Sequence, residues 1–177
     1  VDVLPRKALL LAATTSAPVR VVDRLDAVGE PRRRAGANGQ LRFIYDLHQN
    51  MVGRIRVKIR AARGALIQVR YAERLDEHGE LHTANLRSAA APDFYTCSGA
   101  KDGEVFEPRF ALRGFQFVEI SGKVDVNAIE SVTGIVIGSA LPLIGEFQCD
   151  HALLNQLQHN IQWSQRGSFI DIPMDCP

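Results

Sequence analysis

Between Pro18 and Leu141 the apolar residues fall in short runs, broken by Gly, Pro, Asp and Asn at intervals that suit antiparallel strands. Ile55, Val57 and Ile59 alternate with Arg54, Arg56, Lys58 and Arg60, which predicts a strand with one buried face and one wet, cationic face. Ile67, Val69 and Tyr71 repeat the period after Arg63-Gly64, so residues 54–73 read as two strands joined in a β-hairpin. Further strands are expected over residues 19–25, 41–47, 93–97, 105–112, 115–121 and 132–139, and no stretch between them has helical period. Phe115, Phe117, Val118 and Ile120 place apolar groups on both faces, the mark of a central strand covered on two sides. The expectation is a mainly β, antiparallel sandwich.

After Pro142 the pattern changes. Phe147-Gln148-Cys149 suits a last, closing strand, and Asp150 suits the N-cap of a helix running to about Arg166. In that helix Leu153, Leu154, Leu157 and Ile161 sit at i, i+1, i+4 and i+8, an apolar stripe that needs a partner. Gly167 suits the helix end, and Pro173 favours extended backbone over residues 169–173. One helix with an unused apolar face and an abrupt stop is what a cut through a second domain would leave. The expected division is a leading segment at 1–17, a sandwich at 18–142, and a linker with the start of a second domain at 143–177. Self-association through the bare stripe is expected of the chain by itself.

Composition narrows the function classes. The 177 residues are 46% hydrophobic, enough for a real core, and 21 Lys and Arg balance 20 Asp and Glu. That near-neutrality offers no field for nucleic acid or an anionic membrane, and no apolar run is long enough to span a bilayer. A soluble chain is expected, with cytoplasmic and secreted locations both open. The basic run at residues 31–34 lacks interleaved aromatics and reads as a solvated loop, and the polar stretch at residues 76–88 as a tolerated insertion. Cys97, Cys149 and Cys176 form no C-x-x-C pair and the five His are scattered, so no disulfide framework, metal or other cofactor is expected.

The motifs then carry a family resemblance. Ala17-Pro18-Val19-Arg20-Val21 leads towards Tyr45-Asp46-Leu47-His48-Gln49-Asn50-Met51-Val52-Gly53, which resembles D-x-G-Q-N-M-x-G. Tyr71-Ala72-Glu73 resembles H-A-E, Thr83-Ala84-Asn85-Leu86-Arg87 is similar to T-E-N-L-R, and Glu107-Pro108-Arg109-Phe110 matches E-P-R-F. Gly114-Phe115-Gln116-Phe117-Val118-Glu119 resembles G-F-R-Y-V-E, and residues 160–167 and 169–177 complete the series with N-I-Q-W-S-Q-R-G and F-I-D-I-P-M-D-C-P. In this order they resemble the bacterial α-L-rhamnosidases of glycoside hydrolase family 78. The resemblance implies a concanavalin-like β-sandwich followed by the first helix of an (α/α)6 barrel that is truncated here. It also implies removal of terminal α-L-rhamnose with inversion. The general acid is implied just past Pro177 and the base further on, so no catalytic residue is expected within this chain. Only Asp175, the Asp of D-C-P, matches a family carboxylate that holds the sugar. Three residues depart from the pattern: His48 stands for the usual Gly, Arg54 for a Trp, and Arg113 for a His.

Inverting hydrolysis needs an acid and a base about 6.5–9.5 Å apart on opposite walls of a pocket, which one segment holding Asp171 and Asp175 does not supply. Asp171 is therefore read as structural, serving backbone groups near Pro173. By its residues alone Asp175 suits a turn before Cys-Pro; with the motif it becomes the substrate-binding residue. Trp163 fits core packing as well as sugar stacking. Two classes stay open: part of a glycoside hydrolase acting on a rhamnose-containing glycoside with the barrel as its missing partner, or a non-catalytic sandwich that binds carbohydrate or protein.

Overall fold

A computed structural model describes residues 13, 15–36 and 40–174. Its strands are β1 (Val19–Asp26), β2 (Arg32–Ala35), β3 (Leu41–Ile59), β4 (Leu66–Ala72), β5 (Asp93–Thr96), β6 (Glu104–Phe106), β7 (Arg113–Gly122) and β8 (Ile129–Ser139). They make one antiparallel sheet in the order β1-β8-β3-β7-β4-β5, with β2 and β6 also paired to β3. A helix α1 (Ala152–Ser168) and the short strands β9 (Phe169–Ile170) and β10 (Ile172–Pro173) follow.

The 19-residue β3 organises the fold. Along one edge it pairs with β7 and then β6, and along the other with β2 and then β8. The sheet curls about this strand, because a single core gathers Leu25 of β1, Phe43, Ile55 and Ile59 of β3, Val69 of β4 and Tyr95 of β5. Strands far apart in the pairing order thus face one another across one apolar interior, the arrangement of a sandwich.

The alternation at residues 54–60 is observed: Ile55, Val57 and Ile59 are fully buried. On the opposite face Arg54 and Arg56 share Glu107, while Lys58 and Arg60 share Glu130. The expected hairpin does not form. β4 pairs with β5 and β7, whereas the second half of β3 pairs with β8 and β6. The two apolar faces meet across the core instead of side by side, because a period of two specifies which face is buried and not which strand lies alongside.

Further expectations are corrected. The arginine run is the edge strand β2, with Arg32 opposite Ile44 and Arg34 opposite Arg42, and charges there guard an open edge. The strand expected over residues 105–112 stops at Phe106, and the Ala111 N–H donates back to the Pro108 carbonyl in a turn. Residues 140–149 form no strand, although Phe147-Gln148-Cys149 suggested one. Residues 76–88 are not merely tolerated: Leu75 bridges to Leu81, and Leu81 is buried with Ile44, Ala72 and Phe117 on the outer face of the sheet. This cover is why β7 is apolar on both sides. Beside it Glu119, 1% exposed, accepts from Arg42 at 2.9 Å and Arg70 at 3.1 Å.

Candidate functional site

The motif around residues 45–53 builds a bulge in mid-strand. Pairing between β3 and β7 shifts register between Asp46 and Met51. Asp46 Oδ1 accepts the His48 N–H at 2.7 Å and the Gln116 side-chain amide at 2.9 Å, so one carboxylate holds both sides of the bulge. His48 has φ 58, a left-handed conformation that favours Gly, which accounts for the Gly of the motif at this place. At Gly53 a Cβ would lie 2.0 Å from the carbonyl oxygen of Ile135, so β8 can approach only a glycine.

The other two departures have local partners. Arg54 pairs with Glu107 of the E-P-R-F segment at 2.7 Å. Arg113 pairs with Asp93 at 2.7 Å and lies 5.0 Å from the centroid of the Tyr71 ring. Burial, with the hydrogen bond to Asp93, pushes the Tyr71 phenol well above its ordinary range, so it stays a neutral donor.

Replacing His48 by Gly should stabilise the chain, since a non-glycine residue costs about 1–2 kcal/mol in the left-handed region and glycine returns part of that as chain entropy. The expected gain is about 0.5–1 kcal/mol, read as a higher urea midpoint at unchanged m. A midpoint that falls would mean that the His48 side chain supports the bulge.

The C-terminal elements dock by their last turn. A Cβ on Gly167 would sit 2.7 Å from Val52 Cγ2, and one on Gly138 would sit 3.1 Å from the Arg166 carbonyl oxygen. Gly167 is the penultimate residue of α1, at the helix end as expected, and its lack of a side chain also serves this contact. The N-cap is His151 rather than Asp150, and the side chain of Asn155 takes up the Cys149 N–H at 2.9 Å and carbonyl at 2.7 Å. Leu153, Leu154, Leu157 and Ile161 are all exposed. Trp163 is half-buried against the sandwich core, with the Arg166 guanidinium 4.7 Å from its ring centroid.

Asp171 turns the chain between β9 and β10 with φ 68. Its N–H donates to Ser139 Oγ at 2.9 Å, and its carboxylate accepts from the Ser16 hydroxyl. It therefore ties the end of β8 and the approach to β1 to this turn. Met174 N–H donates to the Ser168 carbonyl at 2.7 Å and closes the hairpin. Asp175, the expected sugar ligand, lies outside the described residues. The structure brings Asp171 and Trp163 to the same end of the sandwich as the segment leading to it. The bulge carboxylate Asp46 and the partners of Arg54 and Arg113 were missed in the sequence, where only the motif spacing hinted at the first.

Among the described residues no helix is long and apolar enough to cross a membrane. The family model for the bacterial α-L-rhamnosidase concanavalin-like domain matches residues 37–138, and that for the 6 hairpin glycosidase domain matches residues 142–177. An α-L-rhamnosidase of Streptomyces avermitilis is 40% identical over 167 residues, covering 94% of this chain and 16% of its own length. One from Formosa agariphila is 43% identical over 138 residues, covering 76% of this chain and 15% of itself. The solved Streptomyces avermitilis α-L-rhamnosidase complexed with L-rhamnose superposes with a TM-score of 0.80 at 38% identity, over 93% of this chain and 16% of that one. Native α-L-rhamnosidase from Aspergillus terreus gives 0.75 at 35%, over 91% and 18%. The chain thus spans about a sixth of the length of the relatives it matches. With a sandwich built around the motif bulge and a family match over residues 37–138, the chain belongs to the bacterial α-L-rhamnosidase family.

Proposed function

We propose that this chain forms part of an enzyme that removes terminal α-L-rhamnose from glycosides by an inverting, two-carboxylate mechanism. The observation that carries this reading is the 40% identity to an α-L-rhamnosidase along 94% of the chain. In this reading residues 18–142 are the sandwich, and residues 143–177 link it to a six-hairpin barrel. The exposed stripe of α1 receives the next barrel helices, and by itself it would drive self-association. Asp175 holds the rhamnose, and barrel residues after Pro177 supply the acid and the base.

An inverting enzyme places water on the face opposite the departing group, so the first sugar released from an α-rhamnoside is the β anomer. Proton NMR of the early reaction of the full-length protein containing this chain should show β-L-rhamnose before mutarotation. An α anomer appearing first would contradict the inverting mechanism.

A further inference from the structure

Between the β3 bulge and α1 lies a cleft of about 490 Å3, within the roughly 300–1,000 Å3 of small-molecule sites. Asn50, Glu73 and Gln116 line it from the sandwich, and Gln156, Asn160 and Trp163 from the helix. No Lys or Arg is among the described residues on its walls, so it offers an anion no guanidinium or ammonium partner. Each amide is held at one end. Asn50 Nδ2 donates to Glu73 at 3.1 Å, Gln116 Nε2 to Asp46 at 2.9 Å, and Gln156 Nε2 to Asn160 Oδ1 at 2.8 Å. These bonds orient the side chains and leave the Oδ1 of Asn50, the Oε1 of Gln116 and the Nδ2 of Asn160 for a ligand.

Trp163 gives its indole N–H to His159 at 3.1 Å and one ring face to Arg166, so its contribution to the cleft is carbon surface. Fixed amide acceptors and donors beside an aromatic surface match a ring whose hydroxyls both give and accept hydrogen bonds and whose C–H groups are apolar. We propose that this cleft binds a neutral pyranose sugar, at a site built from residues other than the D-C-P segment. Ser168, on its wall, accepts the N–H of Met174 through its carbonyl, so the cleft adjoins the strand leading into that segment. A role for it as subsite for a further ring of the glycoside rests on the hydrolytic reading; its capacity to bind a sugar does not.

Trp163 is the single tryptophan of the chain, so its fluorescence reports on the cleft directly. Titrating the 177-residue chain with L-rhamnose, and separately with D-glucose, should give a saturable change in emission with at least one of them. A Kd of about 1–10 mM is expected for a site with so few contacts. Asn160→Ala, on an exposed helix position, and Gln116→Ala should each weaken that response at least about tenfold, or 1.4 kcal/mol, with an unchanged circular dichroism spectrum. No saturable change with either sugar overturns the proposal, as does an unaltered response in both folded variants. Loss in Asp175→Asn with retention in Asn160→Ala would place the sugar at the D-C-P segment and also overturn it. Hydrolysis by the full-length protein is read separately, so failure here and failure of the hydrolytic reading are distinct results.

Discussion

Asp175→Asn in the full-length protein is expected to lower kcat/KM on an aryl α-L-rhamnoside by roughly 10- to 150-fold while leaving the fold intact. The substitution keeps the shape of the side chain and removes the charge that strengthens its hydrogen bonds to sugar hydroxyls. A hydrogen bond to a charged group contributes about 1.5–3 kcal/mol, and each 1.36 kcal/mol is tenfold in rate, which sets the range. A loss far beyond it would assign Asp175 to the chemical step. Asp171→Asn is the contrast. The Asp171 carboxylate accepts the Ser16 hydroxyl beside a left-handed turn, whereas Ser139 is held by the backbone N–H that Asn keeps. The substitution thus weakens only the Ser16 tie and should act on the melting temperature before it acts on turnover. Wild-type kcat/KM in Asp175→Asn, with activity abolished in a normally melting Asp171→Asn, would mean that the sugar is held by the other carboxylate.

Gly53→Ala should be the most damaging single methyl in the sandwich. Its Cβ would fall 2.0 Å from Ile135 O and 2.9 Å from Met51 Cε, and the first of these is backbone in a paired strand. Relief requires β3 and β8 to separate where β3 passes from β7 to β8, so the expected cost is about 3 kcal/mol or more. Gly64→Ala is the control. Gly64 has φ +83 with nothing within 4 Å of an added Cβ, so only the backbone penalty of about 1–2 kcal/mol applies. Equal losses of stability in the two variants would show that the β3–β8 approach at Gly53 is looser than described.

What the sequence disclosed follows the physics of its signals. Period-two alternation reports burial, and it identified the buried face of β3 at Ile55, Val57 and Ile59 and the two-sided cover of β7. It is silent about neighbours, which is why β3 and β4 passed for a hairpin although they face each other across the core. β2 has no apolar alternation to betray it: Arg32 to Arg34, which pair with β3, are three cations in a row. Leu81 lay in a polar stretch, and only its burial beneath a folded-back loop shows its purpose. The site was legible through motif rather than pattern. Asp46 and Gly53 drew notice as letters of a motif, and the structure supplies the reasons, a carboxylate across a bulge and a backbone with no room for Cβ. Asp175 has the look of an ordinary turn residue, and nothing in its local spacing speaks of sugar.

The central proposal is that this chain is the sandwich and barrel entrance of a rhamnosidase whose acid and base lie after Pro177. Release of L-rhamnose from an aryl α-L-rhamnoside, measured side by side for the purified 177-residue chain and for the full-length protein containing it, tests this most directly. Turnover by the full-length protein and none by the 177-residue chain is the predicted result; turnover by the 177-residue chain, surviving a control for host enzymes, or none by the full-length protein, would contradict it.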